Sequence, residues 1–359
     1  MDFAIAAGKV AFALFVLLNY TTLLTWAERK QSALIQDRIG ANRASIFGLT
    51  LLGLFHPLAD TIKMITKEDF VPEGANKMMH TLAPFFALFF ALISFAAIPF
   101  GDHVRIGGKL VNLQVANLNV GLLYIFAAMS MGIYGFVLAG WASNNNFSLL
   151  GGLRAASQMI SYEITIGATV VGLVMVFQTI NLQTMVYRQG DLLFGFLPNW
   201  GVFLQPLGFF LFSAAAMAET KRAPFDLPEG ESEIIGYFIE YSGMKFGMFF
   251  MTDFVETVVV AGLVTTLFFG GWQFPYLYRD GFHFPWGGAV LLPATMVAIV
   301  QVLTFLVKLA FFCWMFLLVR WTLPRFRYDQ LIRLGWQMML PLSILNILVT
   351  GGILLLLQR

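Results

Sequence analysis

The stretch "NVGLLYIFAAMSMGIYGFVLAGW", residues 119–141, contains no charged residue over 23 positions. A helix that crosses a lipid bilayer needs about 20 mainly apolar residues, so this stretch is long enough to do so. Its Gly and Ser residues would allow neighbouring helices to approach closely. The stretch therefore predicts a membrane-spanning helix.

The composition of the whole chain agrees with a membrane protein. Of the 359 residues, 58% are hydrophobic, 12% are charged and 38 are Phe. Soluble domains cannot keep so much apolar surface away from water. We predict an all-α, polytopic integral membrane protein that forms a single membrane domain over residues 1–359. The predicted spans are residues 4–26, 81–100, 119–140, 159–178, 201–218, 244–270, 290–320 and 337–357.

The basic residues predict the orientation of these spans. Of the 22 Lys and Arg residues, 15 lie in or beside the odd-numbered loops. Because cytoplasmic loops carry an excess of Lys and Arg, we expect these loops in the cytoplasm and both termini on the periplasmic side of a bacterial inner membrane. The predicted cytoplasmic loops are residues 27–80, 141–158, 219–243 and 321–336.

Few side chains suit a bound metal. Iron–sulfur clusters are commonly held by four thiolates, and this chain has one cysteine, Cys313. The four histidines lack metal-ligand spacing. We therefore expect no metal site and no cluster held by this chain alone.

Ionisable residues also occur inside the apolar stretches, where they are costly. They are Glu163, Asp253, Glu256 and Lys308, with Glu219 at the end of the fifth span. One interpretation is static pairing that fixes helix packing, with Lys308 neutralising one acid. Three buried acids facing one buried base favour a proton path instead, because an unpaired buried acid has a raised pKa.

The most acidic segment, "AETKRAPFDLPEGESE" at residues 218–233, follows the fifth span directly. Pro224 and Pro228 interrupt any helix, so we predict a structured loop. A solvated acidic loop is the usual interpretation of such a segment. The apolar run 234–239 favours desolvated or paired carboxylates instead.

The first loop contains a predicted amphipathic helix in "HPLADTIKMITKED", residues 56–69. We predict that the helix starts at Pro57, a residue suited to the first helical turn, and Leu58, Ile62 and Ile65 form an apolar stripe at helical spacing. Its place is either the membrane interface or the surface of a partner.

Several of these segments, in this order, resemble the H subunit of bacterial NADH-quinone oxidoreductase, respiratory complex I, which is the counterpart of a mitochondrially encoded subunit. The matching motifs are "WAERK", "DRIGANR", "PLADTIKMITKED", "GWASNN", "GGLRAASQMISYEI", "AETKRAPFDLPEGESE", "IEYSG" and "RWTLPRFRYDQL". Two departures are Ala41, where the family usually has Pro, and Asp253, where it usually has Glu.

The resemblance implies a subunit that joins the membrane arm to the peripheral arm, forms much of a quinone chamber and has no independent activity. It places at the chamber and the arm interface Arg29, Asp60, Lys63, Arg222, Phe225 and Asp226. It assigns proton coupling to Glu163, Glu219, Glu229, Glu231, Glu233 and Asp253, with Glu256 and Lys308 as a possible extension. The quinone tail would occupy an apolar channel near the first span and the amphipathic helix.

The same resemblance implies that quinone is the substrate and that this chain binds no cofactor. NADH, FMN and iron–sulfur clusters would belong to partner subunits. Those partners would be the peripheral-arm quinone-site subunits and small membrane-arm subunits, together with the lipid bilayer; no nucleic acid is expected. Two alternatives are the equivalent membrane subunit of an energy-converting hydrogenase and a stand-alone ion transporter. Internal repeats typical of many transporters are not evident.

Overall fold

The computed structural model describes residues 2–106, 109–193, 195–230, 234 and 236–357. Twelve α-helices dominate these residues. They are α1 (Asp2–Ile35), α2 (His56–Thr66), α3 (Lys77–Ser94), α4 (Gly121–Ala142), α5 (Asn146–Phe177), α6 (Leu182–Gln189), α7 (Gly201–Leu204), α8 (Pro206–Glu219), α9 (Gly243–Phe268), α10 (Ala294–Thr322), α11 (Tyr328–Arg333) and α12 (Leu340–Leu357). A π-helix, Leu334–Met339, joins α11 to α12.

Three small antiparallel sheets connect helices in the described residues. They are formed by β1 (His103–Ile106) and β2 (Lys109–Asn112), by β3 (Leu192–Leu193) and β4 (Leu197–Pro198), and by β5 (Leu277–Tyr278), β6 (Gly281–His283) and β7 (Ala289–Leu291). All three lie in even-numbered connections between spans. The predicted all-α class is confirmed, because these sheets only link the helices.

Seven helical segments among the described residues are long and apolar enough to cross a membrane. They contain α1, α3, α4, α5, α9, α10 and the α11–α12 unit. The chain is thus a multi-pass membrane protein. The predicted span 201–218 corresponds to α7 and α8, which are separated at Gln205. Since α8 has 14 residues, it is about 21 Å long and shorter than the other spans.

Hydrogen bonds between buried side chains connect the start of this short helix to α12. Asn346 Nδ2 of α12 donates to Gln205 Oε1 at 2.7 Å, and Gln205 Nε2 donates to Thr350 Oγ1 at 2.6 Å. Polar groups buried in a bundle must find partners in this way. The side chain of Gln205, at the break between α7 and α8, is therefore hydrogen-bonded to α12.

Helix α5 begins earlier than predicted. The helix starts at Asn146, where the Asn145 side chain accepts from Phe147 N at 2.9 Å and caps the first turn. Most of the segment 141–158, which was predicted as a loop, is therefore helical, and only residues 143–145 connect α4 to α5. The small residues Gly151, Gly152 and Ala155 are buried against protein, so hydropathy alone does not reveal this part of the helix.

Helix α9 is the centre of the bundle and positions the candidate site. It packs against α1, α2, α3, α8 and α10, and every residue from 252 to 268 is buried. A charged side chain on this helix must therefore be paired inside the protein or be neutral.

Candidate functional site

A buried group of charged residues lies where α8 ends against α9. Glu219 is the last residue of α8, and both Glu219 and Lys221 are almost fully buried, at 4% and 1% exposure. The chain leaves the helix because Lys221 has a left-handed backbone, with φ of 55°, and prolines follow at 224 and 228. Consequently two charged side chains enter the protein interior within three residues.

Lys221 pairs with the two acids of α9. Its Nζ atom lies 2.6 Å from Glu256 Oε2 and 3.5 Å from Asp253 Oδ1, and 3.8 Å from the ring centroid of Phe136. Asp253 and Glu256 share one face of α9, as their spacing predicted. The sequence interpretation missed Lys221, because it counted this lysine only among the loop bases that predict the orientation of the spans.

Glu163 lies on α5 beside this group. Ser130 Oγ of α4 contacts Glu163 Oε1 and also lies 2.8 Å from Phe126 O. The carboxylate of Glu219 interacts electrostatically with Glu256, Glu163 and Lys221. We call Glu163, Glu219, Lys221, Asp253 and Glu256 the buried cluster.

Lys308 lies outside the buried cluster, contrary to the prediction that it extends the same row of charges. Its Nζ atom donates to the carbonyl oxygens of Phe269, Gly271 and Gln273 at 2.7, 3.1 and 2.6 Å. These carbonyls follow the end of α9, and Phe268 lies 12 residues beyond Glu256, which is about 18 Å along a helix. Lys308 therefore neutralises no acid of the cluster.

The acidic loop packs onto the cluster from one side. Burial and the charges of Asp253 and Asp226 raise the pKa of Glu229 well above its usual value. Burial also raises the pKa of Asp226, although Arg325 Nη2 donates to its Oδ2 at 2.8 Å. The predicted desolvation of these carboxylates is thus present at Asp226 and Glu229. Glu231 and Glu233 lie outside the described residues.

Two further side chains hold the loop in place. Gln158 Nε2 of α5 donates to Ala218 O at 2.6 Å and to Phe225 O at 2.7 Å. Phe225 is buried and stacks on Phe326, with ring centroids 5.4 Å apart. Phe225 therefore anchors the loop to the bundle.

Arg222 points in a different direction from Lys221. Its Nη1 atom lies 3.0 Å from Glu28 Oε2, and its guanidinium stacks on Phe254 at 3.7 Å. Arg320 Nη1 lies 2.6 Å from the other oxygen of Glu28. Glu28, which belongs to the "WAERK" motif, is a site residue that the sequence interpretation left out.

A mainly apolar cavity of about 90 Å³ lies between α1, α2 and α9, and Phe254 forms part of its wall. Its lining residues include Thr21, Thr25, Pro57, Met64, Phe250 and Phe254. Asp60 also lines it and is ion-paired with Arg29. The structure thus brings Arg29, Asp60 and Arg222 to one region between α1 and α9.

Helix α2, which forms one wall of this cavity, is the predicted amphipathic helix. It begins at His56, one residue before the predicted start, and its stripe of Leu58, Ile62 and Ile65 remains exposed. Lys63 is exposed on the same helix. The helix therefore offers an apolar surface to lipid or to a partner.

A second cavity, of about 470 Å³, lies at the loop side of α1. It is more polar, because Arg29, Arg38, Arg43 and His56 are among its lining residues. Glu28 lines it as well. A polar cavity, an apolar slot and a buried acid cluster therefore meet around Glu28, Arg222 and Phe254.

Comparison with known proteins identifies the relatives of this chain. The family model described as NADH dehydrogenase matches residues 8–351. The H 1 subunit of NADH-quinone oxidoreductase from Cytophaga hutchinsonii is 43% identical over 358 residues, which covers 99% of this chain and 98% of the relative. The H 2 subunits of the same enzyme from Geobacter sulfurreducens and Syntrophobacter fumaroxidans are 44% and 45% identical, over 99% and 98% of this chain and 98% and 96% of theirs.

Proposed function

The chain belongs to the H-subunit family of NADH-quinone oxidoreductase, and we propose that it forms much of the quinone chamber of that complex and couples quinone reduction to proton translocation. The observation that carries the proposal is the buried cluster. Three of its carboxylates, Glu219, Asp253 and Glu256, are nearly inaccessible to solvent and share the charge of Lys221. Such a group responds strongly to any nearby change of charge.

The two cavities support the chamber. The apolar slot between α1, α2 and α9 suits an isoprenoid tail that enters from the bilayer, and the polar cavity suits contact with the quinone-site subunits. Arg222 lies between them, fixed by Glu28 and Phe254. Arg29, Asp60, Lys63, Phe225 and Asp226 would shape the chamber and the arm interface.

Coupling would run from the loop into the membrane. A quinone gains negative charge on reduction and takes up protons, and this change would act first on the loop acids, Glu229 and, in the same role, Glu231 and Glu233. Glu229 interacts electrostatically with Asp253 and with Lys221. The buried cluster would then pass a change of protonation to Glu163 and on to the membrane arm.

The proposal also includes the location, the orientation and the partners of the protein. We place it in a bacterial inner membrane, with both termini on the periplasmic side and the acidic loop in the cytoplasm. Its partners would be the peripheral-arm quinone-site subunits and small membrane-arm subunits. NADH, FMN and iron–sulfur clusters would be bound by those partners, because the one cysteine here, Cys313, cannot hold a cluster alone. The relatives' names give no support to the hydrogenase or transporter alternatives.

The test is Glu219→Gln in the complete complex. We expect quinone reduction and proton transfer to fall while assembly is unchanged, because glutamine keeps the shape of the side chain and cannot exchange a proton. Glu73→Gln is the matched control, since Glu73 is an exposed glutamate that is not part of the buried cluster. Normal turnover and a normal proton-to-electron ratio in Glu219→Gln would refute the coupling role.

A further inference from the structure

Lys221 is a buried cation with one close and one more distant carboxylate. Its ammonium lies 2.6 Å from Glu256 Oε2 and 0.9 Å farther from Asp253 Oδ1. We propose that Lys221 is a mobile counter-charge that pairs with Glu256 while that acid is ionised and moves to Asp253 when Glu256 takes up a proton. The inference rests on the proposed function, because it describes how the buried cluster would transmit charge.

Asp253, the more distant carboxylate, has an oxygen atom that can accept a hydrogen bond from Lys221 after this movement. Asp253 Oδ1 is buried and has no hydrogen-bond partner, although it faces the ammonium. A buried acceptor without a partner is destabilising, so a shift of less than 1 Å that completes this hydrogen bond is favoured once Glu256 is neutral. The free energy lost at Glu256 is therefore partly regained at Asp253.

The backbone of Lys221 is fixed, whereas its ammonium lies at the end of a flexible side chain. Its backbone follows the end of α8, where Lys221 N donates to Ala218 O at 3.3 Å. The ammonium also lies over the ring of Phe136, 3.8 Å from the centroid. A cation over an aromatic face is attracted without a fixed direction of hydrogen bonding, and a lysine ammonium is a compact charge on a flexible stem. Lys221 can therefore turn from one acid to the other without a change of backbone.

The charge balance favours such a shared cation. Glu219, Asp253 and Glu256 face one ammonium, and Glu229 adds a fourth carboxylate at the loop side. Arg222 and Arg320 also act on this group, but both are ion-paired with Glu28. In a low-dielectric interior such an excess of carboxylates over cations is unfavourable, so each carboxylate depends on its distance from the ammonium. The position of Lys221 then decides which carboxylate is best stabilised as an anion.

Lys221 acts as a cation and does not deliver its own proton. Burial lowers the pKa of Lys221, but Glu256 and Asp253 raise it by more, so its pKa lies above the usual value of 10.5. The ammonium therefore stays charged at neutral pH. Protons would pass between carboxylates while the ammonium follows the negative charge.

The experiment compares Lys221→Met, Glu256→Gln and the double variant Lys221→Met/Glu256→Gln in the complete complex. If the pair only stabilises the fold, the double variant restores the wild-type proton-to-electron ratio, because no unpaired charge remains. If Lys221 is the mobile counter-charge, the double variant assembles but transfers protons about tenfold more slowly than the wild type, the effect of a one-unit shift in a coupled pKa.

An infrared measurement separates the role of Lys221 from any loss of assembly. We expect quinone reduction in the wild type to change one carboxyl band that disappears in Glu256→Gln and another that disappears in Asp253→Asn. In the double variant the Asp253 band should no longer change. Wild-type proton transfer in the double variant, or an Asp253 band that still changes there, would overturn the proposal. Loss of coupling in Glu219→Gln beside a normal double variant would refute this inference alone, whereas normal coupling in Glu219→Gln would refute the proposed function.

Discussion

Replacing Gly151 by Ala should loosen the acidic loop from the bundle. Gly151 lies on α5 and is buried under the loop that carries Glu229. A Cβ atom at this position would lie 2.8 Å from Tyr237 N, 3.1 Å from Gly236 C and 3.2 Å from Pro228 O. All three are backbone atoms, so a change of side-chain rotamer cannot relieve the contacts.

The size of the effect follows from these distances. The loop must move by about 0.6 Å for the shortest contact to reach 3.4 Å, where ordinary van der Waals contact begins. Overpacking of this kind costs about 1–3 kcal/mol, which corresponds to a docked loop about 5- to 150-fold less populated relative to the undocked loop. The helix itself gains, because alanine is favoured over glycine in a helix by about 1 kcal/mol. The substitution therefore destabilises the docking of the loop and not the helix.

The assay compares two reactions of the purified complex. NADH oxidation by a hydrophilic artificial acceptor reports assembly and electron entry, whereas reduction of a short-chain quinone also needs the chamber. We expect Gly151→Ala to keep the first activity and lose the second, and to expose residues 226–241 to limited proteolysis. Gly167→Ala is the matched control, because Gly167 lies on the same helix with nothing within 4 Å of an added Cβ. Equal proteolysis and quinone reduction in the two variants would refute the reasoning.

Three further predictions concern charges around the site. Glu28→Gln should cost about 3–5 kcal/mol, because Arg222 and Arg320 lose the carboxylate that they share; a melting temperature equal to that of the wild-type complex would contradict this. Lys308→Met should lower the melting temperature, since three carbonyls lose their donor, but leave the proton-to-electron ratio unchanged; a changed ratio would count against its separation from the cluster. The pKa of Glu229 is raised in the folded protein, so its stabilisation of the docked loop is complete below the usual value of 4.5 and is lost as pH rises through the raised pKa; proteolysis of the loop should therefore increase with pH in the wild type and depend less on pH in Glu229→Gln.

The spans could be predicted from sequence because lipid selects residues by composition alone. The stretch 119–140 was predicted almost to its ends, as α4 begins at Gly121 and ends at Ala142. The start of α5 could not be predicted in this way. Its first residues are covered by protein and not by lipid. At Gly151 and Gly152 the neighbouring backbone leaves no room for a Cβ atom. Hydropathy contains no information about such contacts.

The pairing of the charges could be predicted only in part. Asp253 and Glu256 share a helix face at a fixed spacing, so their proximity was predictable. Lys221 and Glu256 are 35 residues apart and meet only because α8 ends against α9. For Lys308 the sequence predicted the wrong partner. An isolated lysine in an apolar helix suggests a partner acid, but the ammonium of Lys308 donates to carbonyls at the end of α9. A linear sequence does not show which backbone acceptors a fold leaves unpaired.

The direction of a charge signal through the site follows from these pairs. Glu229 interacts with Asp253 and Lys221, and Glu219 interacts with Glu163, Glu256 and Lys221. A proton that binds Glu229 removes a negative charge that acts on both Asp253 and Lys221. If the ammonium of Lys221 then moves from Glu256 towards Asp253, Glu256 loses its nearest cation and holds a proton more readily. Protonation of the loop should therefore be followed by protonation inside the membrane, and a Lys221→Met complex should lose the second event while keeping the first.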